Sequence, residues 1–146
     1  RRPVGRLHLT VYVYPSPQGP TAETRAATCR REFEASREII VSQNKGAERV
    51  EDGAAPAAQG TSGHRSVYRY AMNYDGQDQQ VRSEIDLYCH VGGQWQVKYR
   101  ATFPAGYDAR EDIETFIRTG PWPGRSADPD TIASIGAPLP GAGSAP

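Results

Sequence analysis

A chain of 146 residues, 37% hydrophobic and 23% charged, is large enough for one core and too apolar to stay disordered. Its 17 basic and 17 acidic side chains cancel, which removes any whole-molecule field favouring nucleic acid or an anionic membrane. No apolar run reaches the ~18 residues that a membrane-spanning helix needs.

The stretch LHLTVYVYP, residues 7–15, predicts the first strand. Leu7, Leu9, Val11 and Val13 make an apolar row, and His8, Thr10, Tyr12 and Tyr14 an amphipathic one. Pro15, Pro17, Gly19 and Pro20 then interrupt regular structure. Residues 21–43 read as the main helix, with Thr21 as N-cap. Ala22, Ala26, Cys29, Phe33, Ser36 and Ile40 form a narrow stripe facing the core, and Arg25, Arg30, Arg31, Glu34, Arg37 and Glu38 cover the solvated remainder.

Residues 44–64 are small or polar and read as a long, mobile excursion with at most a short strand at 48–51. RSVYRYAMNY, residues 65–74, alternates again, with Tyr68, Tyr70, Met72 and Tyr74 on one side. After Asp75-Gly76 comes the strand 81–91. It sets Val81, Ser83, Ile85, Leu87, Cys89 and Val91 against Arg82, Glu84, Asp86, Tyr88 and His90. In the next strand Trp95, Val97, Tyr99, Ala101 and Phe103 alternate with Gln96, Lys98, Arg100 and Thr102. A two-residue glycine loop between these strands places Leu87 against Lys98, core against charge. A three-residue loop, Gly92-Gly93-Gln94, pairs Cys89 with Val97 and Leu87 with Tyr99, and is therefore expected.

Residues 108–120 predict a short helix with a capping box at Asp108 and Glu111, an apolar side of Ile113, Phe116 and Ile117, and a stop at Gly120-Pro121. From Gly124 onward Gly, Ala, Pro and Ser dominate. The expected organisation is one domain over 1–123 and a flexible tail over 124–146. The element order implies an α+β fold: an antiparallel sheet of four to six strands with a long and a short helix packed on one face.

Cys29 and Cys89 are the two cysteines, far apart and in no C-x-x-C pair. They are either buried thiols or one disulfide. Parity puts Cys89 on the core face beneath the helix stripe that holds Cys29, so the disulfide is the expected state. A disulfide implies an oxidising compartment. The chain opens at Arg1 without Met, and removal of an export signal is the expected reason.

Metal and cofactor chemistry has no footing in the motifs. There is no phosphate loop or dinucleotide fingerprint, and GTSGH, residues 60–64, lacks the form of a nucleophile elbow. His8, His64 and His90 stand singly. Neither cofactor nor metal is expected. Glu84 and Asp86, two apart on one strand face, have a spacing a hydrolase could use, but Arg82, Lys98 and Arg100 around them favour plain cross-strand ion pairing. The face made of Arg69, Arg82, Glu84, Asp86, Tyr88, Lys98 and Arg100 reads as a solvated back or as a flat docking surface, with Tyr88 and Arg100 as its anchors.

Three fragments, LTVYVYP (9–15), REFEASREI (31–39) and SEIDLYCHVGGQWQVKYRATFP (83–104), resemble a group of uncharacterised exported bacterial proteins whose arrangement looks like the α+β sandwich of PsbP and Mog1-like proteins. The resemblance brings no catalytic residues and implies an assembly or accessory role. The expected function is a non-catalytic exported domain of the bacterial envelope that binds another envelope protein. The alternatives are a carrier of a small apolar ligand, held between residues 44–64 and Tyr12, Tyr14 and Trp122, or an enzyme of unrecognised type.

Overall fold

Alternation builds four of the five strands, and two-residue turns join three of the five. The computed structural model describes residues 6–16, 21–120 and 122–123; the expected tail at 124–146 and the stop at Pro121 lie outside the described residues. The elements are β1 (His8–Pro15), α1 (Ala22–Gln43), β2 (Glu48–Ala58), β3 (Thr61–Tyr74), β4 (Gln77–Val91), β5 (Trp95–Pro104) and α2 (Arg110–Thr119). They form one antiparallel sheet in the order β1-β5-β4-β3-β2. Gln59-Gly60 and Asp75-Gly76 turn with all four φ angles positive, the mirror-image geometry that matches the twist of the flanking strands.

The segment read as a mobile excursion is mostly β2. Its small residues conceal it from a search for large alternating side chains. Two of them, Ala55 and Ala58, are buried in the cluster that holds Tyr88. Register shifts between Arg49 and Glu51 and between Ala55 and Ala58 bend β2, and at the second shift the Pro56 carbonyl accepts a 2.6 Å hydrogen bond from the Tyr88 hydroxyl. Gly63, paired with Ala55 and with Tyr88, lies so close to that ring that a Cβ would stand 2.5 Å from Cε2. Gly63→Ala should therefore lower stability by about 1–3 kcal/mol, the usual effect of overpacking. A urea unfolding midpoint unchanged from wild type contradicts that packing.

The β4–β5 turn has the expected three residues, with Val91 opposite Trp95, but the register beyond it departs from expectation. Cys89-His90 forms a bulge, with His90 at φ +56°. The extra residue shifts the pairing to Tyr88 with Val97, Leu87 with Lys98 and Ile85 with Arg100. Fully buried Gln96 stabilises the bulge: its Oε1 accepts from the His90 amide and the Ser16 hydroxyl, both at 3.0 Å.

This slip divides the expected single core in two. Cys29, Phe33 and Ile40 of α1 cluster with Tyr68, Tyr70, Val81, Ile85 and Leu87. Ile113 and Ile117 of α2 cluster instead with Tyr88, Val97, Tyr99, Ala101 and Phe103. Leu87 and Tyr88 point to opposite sides of β4, so the helices cover opposite faces rather than one. Both faces are apolar, and each requires a cover. Trp95 accordingly packs with the α2 cluster and Cys89 with the α1 cluster. His90, turned by the bulge, reaches the Arg25 carbonyl of α1 at 3.4 Å.

Thr21 caps α1 as expected, accepting from the Thr24 amide at 3.1 Å. The capping box of α2 does not form. The helix starts one residue late, Ala109 is the N-cap, and Asp108 reaches only the Arg110 amide at 3.4 Å. Trp122 folds back, donating to the Ile117 carbonyl at 2.7 Å. Because β1 and β2 are opposite edges of the sheet and Trp122 belongs to the α2 side, the carrier pocket expected between 44–64, Tyr12, Tyr14 and Trp122 is not assembled.

Candidate functional site

The residues expected on one solvated face are split between two sides and largely buried. Tyr88, Asp86, Glu84 and Arg82 face α2, while Lys98 and Arg100, opposite Leu87 and Ile85, face α1. Tyr88 is 0%, Glu84 1%, Asp86 1% and Arg100 8% exposed; Arg82 and Lys98 are half-buried and only Arg69 is exposed. A flat docking surface anchored on Tyr88 and Arg100 is therefore ruled out. The bulge puts the two halves of the set on opposite sides of the sheet, and α2 and α1 each cover one of those sides.

The carboxylate pair is held from a direction that the sequence reading missed. Arg65, cross-strand from Asp86 and 3% exposed, places its Nε 2.7 Å from Asp86 Oδ1 and 2.9 Å from Glu84 Oε2. Its Nη1 donates to Glu114 of α2 at 3.0 Å. Arg110, at the start of α2, holds Glu51 of β2 through Nη1 at 3.2 Å and lies 3.9 Å from Glu84. This charge network ties β2, β3, β4 and α2 together. Burial first, then hydrogen bonding and repulsion from Glu84, push the Asp86 carboxyl well above the usual range, against the pull of Arg65. Asp86 thus keeps a proton where an exposed aspartate has lost it.

A buried acid bonded in this way resembles a catalytic proton donor, but at 1% exposure the Asp86 side chain is closed off from solvent. Glu84 alone reaches a small groove of about 220 Å³, lined with Arg82, Phe103, Tyr107 and Arg110. Among the described residues no group of three or more His, Cys, Asp or Glu side chains could hold a metal ion.

A larger groove, about 500 Å³, runs between α1 and the β2–β3 hairpin. Glu34, Arg37, Glu38 and Val41 form one wall; Ala47, Arg49 and Tyr68 form the other. Arg37 donates to the Tyr68 hydroxyl at 3.2 Å, and Arg37 and Arg49 both approach Asp52, at 3.8 and 3.7 Å. Val41 is 47% exposed, an aliphatic side chain at the rim of a charged channel. The α1 stripe was legible as a periodicity. The groove was not, because its second wall combines Ala47 and Arg49, from the segment read as a mobile excursion, with Tyr68 of β3.

Cys29 and Cys89 form a disulfide, with S–S 2.01 Å and Cα atoms 6.0 Å apart. It joins the middle of α1 to the bulge of β4. No described helix is long and apolar enough to cross a membrane. Compared with known proteins, the chain matches no family model, no curated protein and no solved structure.

Proposed function

We propose that this chain is a non-catalytic, exported binding domain with an assembly or accessory role in the bacterial cell envelope, and that its partner is another envelope protein seated in the α1–β2 groove. The groove carries the reading: it offers accessible charges of both signs around an exposed aliphatic anchor, Val41, a composition suited to a polypeptide segment. The disulfide supports an oxidising location, since such links persist in the periplasm or outside the cell. Locking of the carboxylate pair behind Arg65 supports a role without acid–base chemistry. The resemblance to PsbP and Mog1-like proteins points the same way.

A photo-crosslinking residue at position 41 of the full-length protein, in its own cell, should capture one envelope protein, and Arg49→Glu should abolish the adduct. The same residue at position 118, on α2 and about half exposed, should capture none. Equal adducts from both positions, or none from position 41, overturn the proposal.

A further inference from the structure

Two cations on the α1 side of β5 contrast with Arg65, which has three carboxylates around it. Among the described residues, neither Lys98 nor Arg100 has a carboxylate within ion-pair distance. Arg100 is 8% exposed, and its Nη1 is buried without a hydrogen-bond partner. The Tyr12 hydroxyl is likewise buried and unpartnered. Tyr12 pairs across the strands with Lys98, whose Nζ stands 5.0 Å from the centre of the Tyr12 ring and donates to Ser36 Oγ at 3.3 Å.

These groups form one cluster. Arg100 acts electrostatically on both Tyr12 and Lys98. The carboxylate that acts on Lys98 is Glu32, and the Tyr14 hydroxyl is already bonded to it at 2.5 Å. A buried guanidinium lacking a counter-charge is among the least favourable arrangements in a protein interior. Here Tyr70 bonds part of the guanidinium, and the unpartnered Nη1 is on the sheet face that also carries Lys98 and Tyr12. Tyr12 and Lys98 are half-buried, and β1 is an edge strand, so the sheet edge beside α1 is the side of the cluster nearest solvent.

We propose that Arg100, Lys98 and Tyr12 form a binding site for a small oxyanion, a carboxylate or a phosphate group, entering at the β1 edge beneath α1. The guanidinium supplies planar donors, Lys98 a point charge and Tyr12 a directed hydroxyl. Burial pushes the Tyr12 phenol up, so it remains a donor. The site is on the far side of α1 from the partner groove, and its test is independent of that reading.

Thermal unfolding of the intact, disulfide-bonded protein tests the site at fixed ionic strength, with sodium phosphate, sodium acetate or sodium chloride. Phosphate also stabilises proteins generally, so the readout is the difference between wild type and variants. Wild-type Tm should rise with the logarithm of phosphate or acetate concentration. Arg100→Gln should match or exceed wild-type Tm in chloride, because a buried lone charge is gone, and lose the anion response. Lys98→Met and Tyr12→Phe should each weaken anion affinity, by roughly tenfold or more for the lysine, and they carry the test if Arg100→Gln does not fold. A response to phosphate alone assigns a phosphate group, a response to acetate alone assigns an organic carboxylate, and a response to both assigns an unselective oxyanion site. Identical behaviour of wild type and variants in all three salts overturns the proposal.

Discussion

Arg65→Met should lower the unfolding free energy by about 3–5 kcal/mol, the typical penalty for removing one partner of a buried ion pair. The side chain is 3% exposed and stands between Glu84 and Asp86 at 2.9 and 2.7 Å. Without it two carboxyl groups, each 1% exposed, face each other with only Arg110, 3.9 Å from Glu84, as a compensating charge, and Glu114 loses its tie to β3. Methionine fills most of the arginine volume, so the loss reports charge rather than a cavity. Guanidinium unfolding at pH 7 gives the number, and a loss under 1 kcal/mol excludes the network as a stabilising element.

The companion variant, Asp86→Asn, should behave in the opposite sense as pH rises. The folded pKa of Asp86 is raised, so the native state holds a proton that the unfolded chain releases near pH ~4. Stability from this group is fully present below that point and is lost as pH rises through the folded value. Asparagine keeps the neutral hydrogen-bonding shape and does not titrate. The stability of Asp86→Asn relative to wild type should therefore increase with pH above ~4. A pH-independent difference shows that Asp86 titrates normally.

Much of this architecture could be read before any coordinates, and the parts that could not share one physical cause. Strands 65–74, 81–91 and 95–104 were legible because one side-chain period of two runs through each, and α1 because Cys29, Phe33, Ser36 and Ile40 recur at helical spacing. The bulge at Cys89-His90 had no clear signature: His90 takes φ +56°, a conformation uncommon for any residue but glycine, and the neighbouring Gly92 and Gly93 drew the turn to themselves. Choosing a register by setting apolar against apolar assumes one buried face. Here both are buried, and Leu87 opposite Lys98 is tolerated because Lys98 extends beneath α1 to Ser36 and the Tyr12 ring. The same assumption hid Arg65, which becomes the natural partner of Asp86 only once β3 and β4 are in register. The cysteine pairing survived the error because it depends on Cys89 and α1 alone.

That link is the second large effect. Cys29→Ala/Cys89→Ala should cost about 4 kcal/mol, from a closed loop of 60 residues whose unfolded ensemble it restricts. The reason to expect nearly the full value lies in how α1 is attached. Its buried stripe holds only four of its 22 residues, and two of its polar ties, Arg37 to Tyr68 and Lys98 to Ser36, are single hydrogen bonds of 3.2 and 3.3 Å. In the reduced protein α1 should exchange its amides at lower free energy than β4 and β5, while the α2 face, cemented by Arg65 and Glu114, keeps its protection. Denaturant midpoints of the oxidised, reduced and double-alanine proteins, read with amide exchange, separate the outcomes. A uniform loss across both faces indicates a single cooperative unit, and a loss confined to α1 assigns the disulfide to that helix. Equal midpoints for oxidised and reduced protein show that the covalent link adds nothing to a helix already held by Phe33 and Ile40.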